Sequence, residues 1–225
     1  MHPLSKLPRE WTGPRHHLDP RRDRPRADPD AQPEVPSGDN LDWLLAEPVR
    51  GDWPDSIFHP EPWSRLLSVD NLVSLPGAPT NLPFSLTQLA ADTSLQHRVR
   101  APIAPLLDLG DFAARTDTGG TLVHFLSDYQ GAWHWLLYVD DAGHTAVVGT
   151  DEDIGFTNET IYGSKQPPGP TFPRDVPTDG EILLVVCADS FSEFIYRLWI
   201  ESEIWYSLDT GVPLTRLFAD YVAQP

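Results

Sequence analysis

Two histidines and a nearby carboxylate are the residues whose types and spacing come closest to metal chemistry. His124 and His134 lie on either side of a short polar turn that contains Asp128. Imidazole nitrogens and carboxylate oxygens are common zinc ligands, so the three side chains could meet at one ion across a hairpin. Strand-borne histidines with aromatic neighbours are more often structural, and we therefore predict no metal site here.

A run of three carboxylates is the second candidate for ion binding. Asp151, Glu152 and Asp153 follow a predicted strand, and Asp140 and Asp141 form a shorter acidic turn. Divalent cations that prefer oxygen need several ligands at defined spacings. Neither acidic segment has a further spaced ligand, so both are interpreted as solvated loops.

The sequence lacks the motifs of the common enzyme classes. It contains no glycine-rich phosphate loop, no Gly-x-Ser-x-Gly elbow, no His-Glu-x-x-His motif and no cysteine pair. Glu201 and Glu203 are expected on an exposed helix face, so no carboxylate pair has the apolar enclosure that acid–base catalysis needs. We therefore predict that the chain is not an enzyme and binds no cofactor.

The elements that must position these side chains begin with the segment 121–149, which predicts three consecutive β-strands. Val123 and Phe125 alternate with polar or smaller neighbours, and apolar residues return after residue 144. Along 133–139, one strand face is predicted to hold Trp133, Trp135, Leu137 and Val139 and the other His134, Leu136 and Tyr138. Turn-forming residues occupy 127–131 and 140–143. The segment therefore predicts an antiparallel meander, in which strands are not separated by helices.

A second unit joins a buried strand to a long helix. The run Ile182–Cys187 is almost continuously apolar, which is typical of a strand covered on both faces. Ser190 and Glu193 have the spacing of a capping box at a helix start. The buried stripe predicted for this helix has amphipathic spacing and consists of Phe191, Phe194, Ile195, Leu198 and Trp199.

The meander, the late apolar strand and the phrase 188–194 (Ala-Asp-Ser-Phe-Ser-Glu-Phe) together resemble the SUKH superfamily, the Smi/Knr-type proteins of bacteria. In that family a strand ends in a similar Asp-Ser-Phe-x-Glu-Phe helix start. The resemblance spans residues 105–206, and its motifs are packing patterns without catalytic residues. It implies an α+β domain that binds proteins, as an immunity protein against a toxin or as a regulatory scaffold.

Composition divides the chain into a tail and one domain. Residues 1–40 contain eight of the 24 prolines, an arginine-rich centre and few large apolar side chains, so we predict a disordered tail. Residues 41–225 are predicted to form a single α+β domain with an antiparallel or mixed sheet and flanking helices. The single cysteine, Cys187, lies in the apolar strand and is expected in the core of a cytoplasmic protein.

Net charge restricts the partners of that domain. The tail holds seven of the 16 Lys and Arg residues and seven of the 33 Asp and Glu residues, which leaves nine basic and 26 acidic side chains from residue 41 onward. Such a body repels nucleic acid and anionic membranes and attracts a cationic protein. Neither a signal peptide nor a membrane-spanning apolar run is recognisable.

The leading prediction is an immunity protein that neutralises a bacterial toxin, such as one of the nuclease type, by covering its basic surface. Loops at strand ends supply the carboxylates and aromatic anchors of the expected interface. The predicted partner-binding residues are Asp140, Asp141, Asp151, Glu152, Asp153, Phe156, Tyr162 and Phe172.

Two alternatives stay open at this point. One is an enzyme or small-molecule binder whose pocket is lined by an aromatic sheet face formed by Trp133, Trp135 and Tyr138. The other is an accessory or regulatory subunit of a larger bacterial complex, which the sequence does not distinguish from an immunity protein.

Overall fold

The structure is a computed structural model, and it describes residues 4, 7–9, 34–47, 65–99, 107–117, 119–128, 133–155, 175–176 and 184–213. Its helices are α1 (Asp42–Leu45), α2 (Val69–Val73), α3 (Phe84–Ala91), α4 (Thr93–Gln96) and α5 (Phe191–Thr210). Its strands are β1 (Arg65–Leu66), β2 (Asp108–Leu109), β3 (Ala114–Thr116), β4 (Thr121–Ser127), β5 (His134–Val139), β6 (Thr145–Thr150), β7 (Asp175–Val176) and β8 (Val185–Ala188).

Six strands form one mixed sheet in the order β7-β3-β4-β5-β6-β8. Strands β3, β4, β5, β6 and β8 pair antiparallel, and the short β7 pairs parallel with β3. A separate antiparallel pair joins β1 to β2. The sheet and its helices confirm the predicted α+β fold, and β4, β5 and β6 confirm the predicted meander.

A β-bulge interrupts the register of β4 against β5. His124 pairs with Leu136, whereas Leu126 pairs with Trp135 and Ser127 with His134, so the register shifts between positions 124 and 126. In a regular strand, residues three apart point to opposite faces. Because the bulge inserts one extra residue, His124 and Ser127 reach the same face of the sheet.

Helix α5 covers one face of the sheet as predicted. The Ser190 side chain accepts a hydrogen bond from the Glu193 N–H, and the Glu193 carboxylate accepts one from the Asp189 N–H. This reciprocal capping starts the helix, and Gly211, in the left-handed region at φ 73°, ends it. All five residues of the predicted stripe are buried, and the rings of Phe191 and Phe194 pack edge-on against Phe125 of β4.

The two glutamates expected on an exposed face of α5 are buried. Glu201 and Glu203 are only 2% and 6% exposed, so the prediction for these two residues is wrong. Hydrophobic spacing identifies the side of a helix that meets the sheet, but it does not show which segments cover the other sides. None of the described helices is both long and apolar enough to cross a lipid bilayer.

Parts of the predicted tail pack against the domain. Leu4 is buried in the apolar cluster on the sheet face opposite α5, and the Pro8 carbonyl accepts a hydrogen bond from the Val186 N–H. Asp39 accepts hydrogen bonds from the first N–H groups of α3, which has no cap of its own at Pro83. The packed structure therefore includes these positions before residue 41, while most of residues 1–33 lie outside the described part.

Candidate functional site

A buried polar network lies at the end of the sheet where β4 ends and β5 begins, on the face opposite α5. The Ser127 hydroxyl oxygen is its centre. This oxygen lies 2.9 Å from His124 Nε2, 3.0 Å from His134 Nδ1 and 3.2 Å from Asp108 Oδ1. The β4 bulge places His124 and Ser127 together, and the pairing of β4 with β5 adds His134.

The network extends towards solvent through the loop after β6. His134 Nε2 lies 3.0 Å from Asp153 Oδ1, and the Asp153 side chain is 36% exposed. Together with Ser127, Asp108 and His124, these residues are called the Ser127 network. The segment 151–155 is called the acidic loop.

Backbone contacts hold the acidic loop against the turn between β2 and β3. The Gly155 carbonyl accepts hydrogen bonds from the Asp111 N–H, at 2.7 Å, and from the Phe112 N–H, at 3.3 Å. A Cβ atom at Gly110 would lie 2.6 Å from the Gly155 oxygen, so this close approach requires glycine at position 110. The loop therefore closes over the end of the sheet.

Burial changes the acid–base properties of the network. It raises the pKa of Asp108 to about 7, although the hydrogen bond with Ser127 partly opposes this shift. Burial also lowers the pKa of His124 well below its ordinary value, and the neighbouring His134, whose ring centroid is 5.3 Å away, adds to that shift. His124 is therefore neutral at pH 7, and Asp108 changes charge close to neutral pH.

The two histidines meet as the metal hypothesis requires, but their surroundings differ from that hypothesis. The third proposed ligand, Asp128, accepts a hydrogen bond from the Trp133 N–H at 3.3 Å. Within the described residues, no group of three or more His, Cys, Asp or Glu side chains is arranged to hold a metal ion. Both imidazoles instead contact the Ser127 hydroxyl.

The predicted partner-binding carboxylates occupy opposite ends of the sheet. Asp151 and Glu152 are exposed on the acidic loop after β6. Asp140 and Asp141 lie in the turn before β6, so the length of that six-residue strand, roughly 20 Å, separates the two groups. They do not form one compact patch. Phe156, Tyr162 and Phe172 lie outside the described residues.

The proposed aromatic sheet face is divided between the two sides of the sheet. Trp135 belongs to the apolar cluster under α5, whereas Tyr138 belongs to the cluster on the opposite face, and both are fully buried. Trp133 is partly buried against the Trp135 side. These three rings therefore do not line a common pocket.

Three residues of this site were not identified from the sequence. Ser127 occurs in a segment predicted only as a turn, and neither it nor Asp108 nor Asp111 belongs to a recognised motif. Ser127 lies three residues after His124, a spacing that places two strand residues on opposite faces unless a bulge intervenes. The sequence signal for the Ser127 network was therefore limited to the two histidines and Asp153.

Comparison with known proteins gives no match, whether to a family model, to a curated protein or to a solved structure. The function is therefore inferred from the geometry and charge of the chain itself.

Proposed function

We propose that this chain is a protein-binding domain that docks a cationic protein, as an immunity protein does when it covers the basic surface of a bacterial toxin. The observation that carries the proposal is the acidic loop, whose exposed carboxylates are presented on a backbone held in place from two sides. The Gly155 carbonyl is bound by the β2–β3 turn, and Asp153 contacts His134.

A loop that is ordered before binding supports affinity for a charged partner. Ordering side chains and loops at an interface costs free energy, and a loop already fixed in place avoids part of that cost. Asp151 and Glu152 are exposed and can accept charge-assisted hydrogen bonds from Lys or Arg. We therefore assign the centre of the interface to this end of the sheet, with Asp111 beside the loop, rather than to Asp140 and Asp141.

The charge of the whole chain favours a cationic partner over the other macromolecules. A formal net charge of −17 repels nucleic acid and anionic membrane surfaces. A toxin that cleaves nucleic acid needs a basic surface to bind phosphates, and such a surface is complementary to the acidic loop. The SUKH resemblance and a cytoplasmic location belong to the same proposal, as does the nuclease-type partner.

A second candidate function, an enzyme with Ser127 as its nucleophile, is supported by the Ser127 network. A serine hydroxyl within hydrogen-bond distance of an imidazole that contacts a carboxylate is the arrangement of an activated nucleophile. Residues with altered pKa values are also more common at functional sites. Two observations argue against this role. Ser127 is only 4% exposed, and its hydroxyl contacts the Nδ1 atom of His134 rather than the Nε2 atom.

The decisive experiment compares charge removal at the two ends of the sheet. A partner is captured from the source cell with the full chain and identified, and its association and dissociation rates are measured at about 50 and 500 mM salt. Raising the salt should slow association by an order of magnitude or more, because steering between unlike charges is screened. The variant Asp151→Asn with Glu152→Gln should weaken binding, and the matched variant Asp140→Asn with Asp141→Asn should not.

Three outcomes contradict the proposal. Equal effects of the two paired variants would remove the acidic loop from the interface centre. Association that does not depend on salt would exclude electrostatic steering. If a small molecule raises the melting temperature and no protein partner is recovered, the second candidate function replaces the first.

A further inference from the structure

One edge of the main sheet is covered by a short segment from the start of the chain. Strand β8 is an edge strand of the described six-stranded sheet. On its outer side the Val186 N–H donates a hydrogen bond of 2.9 Å to the Pro8 carbonyl, and Arg9 forms a parallel bridge with Val186. Backbone groups at a sheet edge are a template for pairing with another extended chain. Leu4, Leu7, Pro8 and Arg9 are called the N-terminal strap.

The side chains of the strap add an apolar anchor and a charged one. Leu4 is 6% exposed and belongs to the apolar cluster on the sheet face opposite α5, and Leu7 packs against the same cluster. Arg9 forms an ion pair with Asp189, which directly follows β8. The Glu193 carboxylate accepts a hydrogen bond from the Asp189 N–H, so a second carboxylate lies beside the first. The outer edge of β8 therefore combines backbone hydrogen-bonding groups, an apolar surface and negative charge.

The strap is attached less firmly than the strand that it covers. Among the described residues, its attachments are the Val186 hydrogen bond, the packing of the two leucines and an ion pair whose side chains are 64% and 69% exposed. Exposed ion pairs contribute little to stability, and segments with few buried contacts open locally while the rest stays folded. Strand β8 also pairs with β6 and packs against α5, so it keeps its place when the strap leaves.

We propose that the outer edge of β8 is a docking site for an extended segment of a partner protein, which displaces the strap. The strap shows the chemistry that this segment needs: two apolar side chains three positions apart, and an arginine or lysine two positions after the second. In strand addition, main-chain hydrogen bonds supply affinity and side-chain contacts supply specificity. The docking site does not involve the acidic loop, so its test is independent of the function proposed above.

Concentration and charge favour a partner segment over the strap of a second copy. The strap is tethered to its own domain, and a short flexible tether gives an effective concentration of about 1 mM. An identical strap from a second copy has the same contacts and does not displace it at lower concentrations. A partner segment that carries additional basic residues gains affinity from the net charge of −17.

Hydrogen exchange at Val186 tests whether the strap opens by itself. In the full chain, the protection factor of the Val186 amide should be at least about tenfold lower than those of the central strand β5, which global unfolding exposes. The double variant Leu4→Ser with Arg9→Ser removes both side-chain anchors and should lower it by a further factor of about ten. The control Leu45→Ser makes the same change at an exposed leucine and should leave it unchanged.

A synthetic peptide of residues 1–10 is the probe for the docking site. Added to the full-length double variant, the peptide should restore the protection of the Val186 amide. Its dissociation constant should be about tenfold or more higher for the unmodified chain, because the tethered strap competes there. Within the peptide, Leu4→Ser should weaken binding about tenfold and Arg9→Glu about threefold, whereas Arg9→Lys should bind nearly as well as the natural peptide.

Three results overturn the proposal. Equal protection of Val186 and β5 in the unmodified chain would show that the strap opens only on global unfolding, and this result decides the matter even if the double variant fails to fold. Equal affinity of the peptide for the two chains, or no binding at about 1 mM peptide, would exclude the outer edge of β8 as its site. Sedimentation should give a monomer. A dimer that the double variant abolishes would make the strap of a second copy the occupant.

Discussion

The β5–β6 hairpin carries an Asp–His pair at each end, and the two pairs have nearly equal distances between nitrogen and oxygen. At the turn, Asp140 Oδ2 lies 2.9 Å from His144 Nδ1. At the open end, Asp153 Oδ1 lies 3.0 Å from His134 Nε2. Their surroundings differ, because the His144 side chain is 65% exposed and the His134 side chain is 5% exposed. Distance alone therefore does not determine what such a pair contributes to the protein.

Solvent and connectivity distinguish the two pairs. Around Asp140, burial is the largest single effect and favours the neutral acid, but hydrogen bonds from the His144 side chain and from the N–H groups of His144 and Ala142 together outweigh it and lower the pKa. This pair closes a turn. The His134 ring instead joins the half-exposed Asp153 to the buried Ser127. We therefore expect a change at the open end to affect the core and a change at the turn to stay local.

The largest expected difference between the two ends is in stability. His134→Ala removes a buried ring and its contacts with Ser127 and Asp153, so the free energy of unfolding should fall by about 2–4 kcal/mol. His144→Ala breaks an exposed pair and should cost less than about 0.5 kcal/mol. Urea unfolding of the two variants at pH 7 measures both values. Equal losses would show that the two ends are energetically equivalent.

The dependence of stability on pH sharpens the comparison. In the fold, Asp108 has a pKa of about 7 against an ordinary value of 3.8, so its stabilising contribution is complete below pH 3.8 and is lost as the pH rises through 7. His124 has a lowered pKa against an ordinary value of 6.5, so its contribution is complete above pH 6.5 and is lost as the pH falls. The two effects oppose each other between about pH 4 and 6.5.

Single variants should separate the two opposing effects of pH on the free energy of unfolding. Asp108→Asn should make the free energy of unfolding rise with pH over this window, by up to about 1.4 kcal/mol per pH unit, because only the His124 effect remains. His124→Gln should make it fall with pH by a similar amount. Urea unfolding at half-unit steps from pH 4 to 7.5 tests both slopes. If both variants retain the pH profile of the unmodified chain, the protonation states assigned to Asp108 and His124 are wrong.

The smallest expected effect belongs to the turn. The lowered pKa of Asp140 means that its stabilising contribution is present above the ordinary value of 3.8 and is lost as the pH falls. Asp140→Asn keeps an oxygen acceptor and removes only the charge, so stability at pH 7 should change by less than about 0.5 kcal/mol. The change should disappear in about 0.5 M salt, because exposed pairs are screened. A larger, salt-independent loss would indicate that the turn is coupled to the core.

Local sequence patterns predicted the parts of the fold whose causes are local. The capping spacing of Ser190 and Glu193 identified the start of α5, and alternation along β4 to β6 identified the meander, because both depend on residues a few positions apart. The same patterns failed at Glu201, which is buried although its helix reads as amphipathic. Burial of the second face depends on distant segments, and no short window contains them.

The sequence by itself determined the strong negative charge, the meander, the capped helix and the presence of two histidines beside a turn. Only the tertiary structure decided that these histidines share one hydroxyl. The β4 bulge turned Ser127 to the face of His124, and the packing of β2 against β4 brought Asp108 to Ser127 across 19 positions of the chain. Register and bulge position arise from long-range pairing and turn geometry, and for that reason the hydrophobic pattern of a single strand does not specify them.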